Sequence, residues 1–159
     1  ILEADIVVIG PGSLYTSVLP NLLVSGIQKA LFATTATRLF VCNVATQHGE
    51  TDGFTVADHL EALERHAGRG LIHAVVANSN IAPALPEAWH SSAVPVSSDG
   101  MAAFENVRLV MADVVAEENR YRHDPVKLAA TVMRMYDQRD TFASSVSRPA
   151  AEEPLLLSR

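Results

Sequence analysis

Three short, mainly apolar runs set the architecture of this chain: Ile6-Val7-Val8-Ile9, Leu39-Phe40-Val41-Cys42-Asn43-Val44 and Ile72-His73-Ala74-Val75-Val76-Ala77. Each gives way to glycine or small polar residues: Gly10-Pro11-Gly12-Ser13, Ala45-Thr46-Gln47 and Asn78-Ser79-Asn80. Runs this short, rich in β-branched residues and without a polar alternation, read as strands buried on both faces. A sheet covered on both faces is a parallel one, because its crossover connections lay helices across it. The segments between the runs carry helical spacing. Leu14, Val18, Leu22, Leu23, Ile27, Ala30 and Leu31 fall on one face between Ser13 and Leu31, with Pro20 and Gly26 expected to kink or divide that helix. Thr55 reads as an N-cap with Asp58 three residues on, followed by an apolar face of Val56, Leu60, Leu63 and Ala67 and a stop near Gly68. The pattern is βαβαβ, which predicts an α/β, Rossmann-like three-layer fold with a mainly parallel sheet.

Beyond Asn80 the pattern loosens. Pro83, Pro86 and Pro95, with Trp89 and His90 among them, mark an irregular excursion in which Ala93 to Val96 is extended. Val107 to Met111 reads as a further strand, prolonged by Val114-Val115. Asp124-Pro125 is a strong helix start, since Asp caps well and Pro suits the first helical turn. Leu128, Val132 and Met135 form that helix's apolar stripe. Residues 1–138 thus read as the carboxyl-terminal half of an α/β domain and 139–159 as a disordered tail. The chain opens at Ile1 directly ahead of a strand, as though cut into a continuing fold, so an N-terminal truncation is expected.

Composition narrows the function. Twelve Lys plus Arg against eighteen Asp plus Glu give a net charge of −6, with no basic cluster to neutralise phosphates, so a nucleic-acid partner is excluded. No apolar run approaches the length of a membrane span, and no signal sequence is visible. Cys42 is the single cysteine, which excludes an internal disulfide and fits a reducing, cytoplasmic setting.

In open parallel sheets ligands bind beyond the carboxyl ends of the strands. Three polar loops should meet there. In the first, Gly10 and Gly12 allow close backbone approach while Ser13, Tyr15 and Thr16 add hydroxyls, although the loop fits neither the dinucleotide nor the Walker A pattern. By spacing alone an ordinary strand-to-helix turn is the better reading of it. The second, Asn43 to Gly53, carries Thr46, Gln47, His48, Glu50, Thr51 and Asp52 and is longer than the usual βα connection of about 2–6 residues. The third holds Asn78. Arg122-His123-Asp124 adds a guanidinium suited to phosphate at a helix start, or else a surface Arg paired with Glu117 or Glu118. His59 and His66 read as surface histidines, His73 and Cys42 as core, and no Ser occupies a G-x-S-x-G elbow.

Taken together, Gly10-Pro11-Gly12-Ser13-Leu14-Tyr15-Thr16-Ser17, Cys42-Asn43-Val44-Ala45-Thr46-Gln47-His48-Gly49-Glu50-Thr51, Asp58-His59 and Arg122-His123-Asp124-Pro125 resemble the bacterial YvcK-type gluconeogenesis factors of the CofD-like superfamily. The likeness runs from about residue 3 to residue 138. It implies a cytoplasmic protein that binds nucleotide sugars of the UDP-N-acetylglucosamine type and supports carbon metabolism and cell shape. It implies a longer parent whose amino-terminal part carries a Gly-rich "GGGTG" loop. Carried over by position, Gly10, Gly12, Ser13, Asn43, Thr46, Gln47, Glu50 and Thr51 would line the cleft, and Arg122 would contact the ligand. His48 stands where the family often has Pro. Pro125 stands where some members carry a phosphorylatable Thr, which removes kinase control at that position. The phospholactate-transferring relatives typically show "GPSNP" where this chain reads Gly10-Pro11-Gly12-Ser13-Leu14, which favours a regulator over a transferase. A transferase would require Mg²⁺ held by carboxylates mostly outside this chain, and no cofactor follows from the residues themselves. An open sheet edge would also admit a homodimer.

Overall fold

The computed structural model describes residues 1–82, 84–97 and 102–139. Pro83 of the excursion and the tail beyond Arg139 lie outside the described residues.

Four strands form one sheet in the order β1 (Ile6–Ile9), β2 (Thr37–Val41), β3 (Ala74–Asn78) and β4 (Arg108–Ala112), every neighbouring pair parallel. The two central strands are buried at every residue, as their unbroken apolar sequence requires. The expectation of two-sided burial fails for β1. This strand lies at the sheet edge, and Val8 on its second face is 41% exposed. Side chains alternate between two cores. Ile9, Phe40, Val75 and Ala77 point into the larger one; Leu39, Ala74 and Val76 point into the smaller.

The larger core lies under the connections. After β1 a single π-helical turn, Leu14–Val18, runs into α1 (Leu19–Leu22), and α2 (Ser25–Ala33) follows a break at Leu23 and Val24. The divided helix matches the expectation, but Pro20 and Gly26 sit in the first turns of α1 and α2, where Pro has no hydrogen bond to lose, rather than inside a kinked helix. Between β2 and β3 runs α3 (Val56–Ala67), opened by the expected capping box. Thr55 Oγ1 accepts the Asp58 amide at 3.2 Å and Asp58 accepts the Thr55 amide at 2.7 Å. Leu60 and Leu63 are fully buried beneath it, each burial contributing roughly 2–3 kcal/mol. The excursion after β3 holds a short 3₁₀ turn, Glu87–Trp89, and one antiparallel bridge, Ala93 to Ala45.

On the opposite face α4 (Pro125–Asp137), capped by Asp124, covers the smaller core with Met135 buried and Leu128 and Val132 half-buried. Helices on both faces of a parallel sheet make the three-layer α/β fold. Two further details differ from the sequence reading. Val114 and Val115 do not prolong β4; Val115 turns back to pair antiparallel with His123. His59 is not a surface histidine. It is 1% exposed, its Nδ1 2.8 Å from the Thr55 carbonyl and its ring edge-on to Phe54. Its position follows the α3 apolar face, since it lies one turn from Leu63 and beside Leu60.

Candidate functional site at the carboxyl edge of the sheet

Because all four strands run in one direction, their carboxyl ends and the loops after them share one edge. The first two loops are joined there by Asn43. Its Oδ1 accepts the Gly12 amide at 3.2 Å, and its Nδ2 donates to the Gly12 carbonyl at 3.0 Å and to Gln47 Oε1 at 3.2 Å. Gly10 makes this approach possible. It has φ of +78°, and a Cβ added there would stand 2.9 Å from the Val41 carbonyl oxygen.

A second link runs through Glu50. Ser13 Oγ donates to Glu50 Oε2 at 2.5 Å, and the Thr16 hydroxyl donates to Ser13 Oγ at 2.5 Å, with Glu50 Oε1 3.5 Å away. Ser13 also accepts the Thr16 amide at 3.2 Å and so caps the π-helical turn. The hydroxyls of the first loop are therefore organised around a carboxylate. Charge repulsion disfavours a phosphate at that point, whereas alternating donors and an acceptor suit the hydroxyls of a polyol.

The remaining residues divide into those that face the edge and those that hold it. Thr51 is fully buried and accepts the Gln47 amide at 2.9 Å, closing the turn that presents Glu50. Thr46 is buried and ties the excursion down: its Oγ1 accepts the Ser92 amide at 3.0 Å, and the Ser91 hydroxyl donates to its carbonyl. Asn78 is buried with its amide engaged by Asn80 and by the Val114 amide at 3.3 Å. Tyr15 has its ring edge-on to His66, in the last turn of α3. His48 and Asp52 are exposed, and hydrogen bonds from Gly49 and His48 hold the Asp52 carboxyl below its ordinary range.

The loop after β4 completes the edge. His123 Nε2 lies 3.1 Å from the Cys42 carbonyl, which ties this loop to the end of β2, and burial lowers the His123 pKa. Arg120 donates twice to Asn80, at 2.7 and 3.0 Å. Arg122 is exposed and, among the described residues, its guanidinium has no hydrogen-bond or ion-pair partner. The alternative pairing with Glu117 is not formed; that carboxylate lies 3.7 Å from Lys127. Sequence reasoning missed Ser91, Ser92 and Arg120, since none belongs to a periodic pattern, and gave His123 no role of its own. Burial pushes the Cys42 thiol well up, which removes it as a nucleophile and agrees with a core role. Among the described residues no three His, Cys, Asp or Glu side chains converge as a metal-ligand group. None of the described helices is long and apolar enough to cross a membrane.

Residues 1–118 match the family described as "2-phospho-L-lactate transferase CofD". The chain is 44% identical over 142 residues to a putative gluconeogenesis factor of a Nostoc species, covering 86% of this chain and 31% of that one. It is 38% identical over 141 residues to the gluconeogenesis factor of Bacillus subtilis, covering 84% of this chain and 43% of the relative. The crystal structure of a upf0052 family member from Bacillus halodurans superposes with a TM-score of 0.73 at 38% identity, over 83% of this chain and 44% of that one. The chain thus spans less than half the length of these relatives.

Proposed function

The chain belongs to the CofD family and is similar to bacterial gluconeogenesis factors, and from that premise we propose that the carboxyl edge of its sheet binds a nucleotide sugar of the UDP-N-acetylglucosamine type, as a regulator of carbon metabolism and cell shape. The observation that carries this reading is the exposed Arg122, whose guanidinium has no partner among the described residues, in the loop that His123 ties to the Cys42 carbonyl, one residue before Asn43. A net charge of −6 repels an anionic ligand at long range, so attraction has to be local. A planar guanidinium donating two hydrogen bonds supplies it. Ser13, Thr16 and Glu50 suit the sugar hydroxyls, with Glu50 accepting, and the Asn43 clamp holds both loops in register.

Calorimetric titration of the purified protein with UDP-N-acetylglucosamine tests this reading. Saturable heat is expected, with affinity about tenfold or more weaker in Arg122→Ala, because hydrogen bonds to charged groups contribute about 1.5–3 kcal/mol. No heat, or equal affinity in the variant, overturns it. The family description favours one competing reading, a transferase of a phosphorus-containing group. Formation of a phosphodiester product from a nucleotide-diphosphate donor and a deazaflavin acceptor would establish that reaction instead.

A further inference from the structure

Two histidines from separate loops meet in solvent at the carboxyl edge, and the contacts described so far give neither a task. His48 belongs to the loop after β2 and His90 to the excursion after β3, and both are exposed. Their ring centroids lie 5.4 Å apart with 35° between the planes. Backbone contacts enforce the meeting. The Ser91 hydroxyl donates to the Thr46 carbonyl, the Thr46 amide donates to the Ser92 carbonyl at 2.8 Å, and Ala93 bridges to Ala45. These ties begin one residue after His90 and stop two residues before His48, so they deliver both side chains to one place. His90 itself has φ of +47°, a conformation that non-glycine residues adopt rarely and that persists where surrounding contacts enforce it.

The ring of His48 is oriented from behind. Asp52 Oδ1 stands 3.2 Å from His48 Nδ1, and Asp52 Oδ2 accepts the Gly49 amide at 2.7 Å, so the carboxylate is itself held. An ionised carboxylate only accepts, so Nδ1 carries the hydrogen and the lone pair is left on Nε2. Metal-ligating histidines are held in this way, because the outer carboxylate fixes the tautomer and raises the basicity of the ligating nitrogen. Among the described residues the His90 ring has no hydrogen-bond partner, which leaves a nitrogen for a second bond. The spacing fits as well. A ring whose nitrogen lies about 2.1 Å from Zn²⁺ has its centre about 3.2 Å from the ion, and two such rings at a tetrahedral angle are about 5.2 Å apart. The observed separation is 5.4 Å.

We propose that His48 and His90 form a two-histidine site for a borderline divalent transition ion, Zn²⁺ above all, with Asp52 as the positioning carboxylate behind His48. Imidazole nitrogen selects this class of ion over Mg²⁺ and Ca²⁺, which take oxygen ligands. Among the described residues no third side chain completes a metal-ligand group, so the remaining positions go to water. A bound ion links the loop after β2 to the excursion after β3 and sets an exchangeable, positively charged centre on the edge. The site stands independently of the nucleotide-sugar reading.

Calorimetric titration of the tag-free protein with Zn²⁺ tests it. One ion per chain is expected, with no heat from Mg²⁺ at the same concentrations. His48→Gln and His90→Asn should each weaken Zn²⁺ binding about tenfold or more, the latter keeping a residue that tolerates positive φ. Asp52→Asn should weaken it about tenfold and Asp52→Glu should restore most of the loss, whereas His66→Gln, in the last turn of α3, should change nothing. Trp89 is the single tryptophan of the chain and adjoins His90, so Cu²⁺ entering the same site should quench its emission in the wild type and not in His90→Asn. Without metal these variants should unfold at the wild-type temperature, because both imidazoles are exposed. Equal Zn²⁺ affinity in either His48→Gln or His90→Asn, quenching by Cu²⁺ that survives in His90→Asn, or no one-to-one isotherm in the wild type overturns the site. Unchanged affinity in Asp52→Asn overturns the positioning role of that carboxylate.

Discussion

Asn43→Ala removes the one side chain that bonds the first loop to the second through the backbone. Three hydrogen bonds are lost, two of them to the Gly12 amide and carbonyl and one to Gln47. Asn43 and Gly12 are half-buried, so water can reach the freed groups and each bond counts at the lower end of its range, about 0.5–1 kcal/mol. The sum is roughly 2 kcal/mol, which for a chain of this size lowers the unfolding temperature by about 4–8 °C. Urea unfolding at neutral pH should show the midpoint falling with an unchanged slope, because the surface exposed on unfolding is the same. Asn43→Asp should do no better. It keeps an acceptor for the Gly12 amide but sets a carboxylate against the Gly12 carbonyl and the Gln47 oxygen. If Asn43→Ala unfolds within about 0.5 kcal/mol of the wild type, the side chain does not join the loops as described.

Gly10→Ala combines a positive φ with a contact to the Val41 carbonyl at 2.9 Å, and should cost about 2 kcal/mol or more by thermal unfolding, whereas Gly49→Ala, positive in φ but with nothing near, should cost only about 1 kcal/mol. The opposite edge of the sheet predicts an acid response. Arg38 is buried among the carbonyls of Leu71, Thr34 and Gly70, with Nη2 2.6 Å from His73 Nε2, and burial together with this cation lowers the His73 pKa to about 4. Below its ordinary pKa of about 6.5 the unfolded chain takes up a proton that the folded chain refuses. Stability is therefore fully present above about pH 6.5 and falls by as much as about 1.4 kcal/mol per pH unit down to about 4. His59 and His123, also lowered by burial, add to the fall, so urea midpoints at pH 7 and pH 5 should converge in His73→Gln relative to the wild type without becoming equal.

The fold was largely written in the three apolar runs. Leu39 to Val41 and Ala74 to Ala77 have no polar face, and only a two-sided parallel sheet accepts such strands. The same rule overreached at Ile6 to Ile9, since an apolar run reports composition and not place in the sheet, and an edge strand leaves Val8 in water. Thr55 with Asp58, and Asp124 with Pro125, marked two helix starts because capping is a local interaction, complete within four residues. His59 was misread because a polar side chain on an apolar helical face has no signature until the neighbouring Phe54 and the Thr55 carbonyl enclose it. At the site, the residue types were visible and the pairings were not. Asn43 and Gly12 stand 31 residues apart and Ser13 and Glu50 stand 37 apart. Only the parallel register of β1 and β2 decides that they meet. His90 fell in a stretch without periodicity, so its position beside His48 came from tertiary structure alone.

The proposed nucleotide sugar would lie across the carboxyl edge of the sheet. Amide chemical shifts of the isotopically labelled protein, followed while UDP-N-acetylglucosamine is added, test it most directly. The shifts should move at Gly12, Ser13, Asn43, Gln47, Glu50 and Arg122, and stay fixed at Arg38, Gly70 and His73 on the opposite edge. Movement confined to the opposite edge, or none at saturating ligand, would contradict the account.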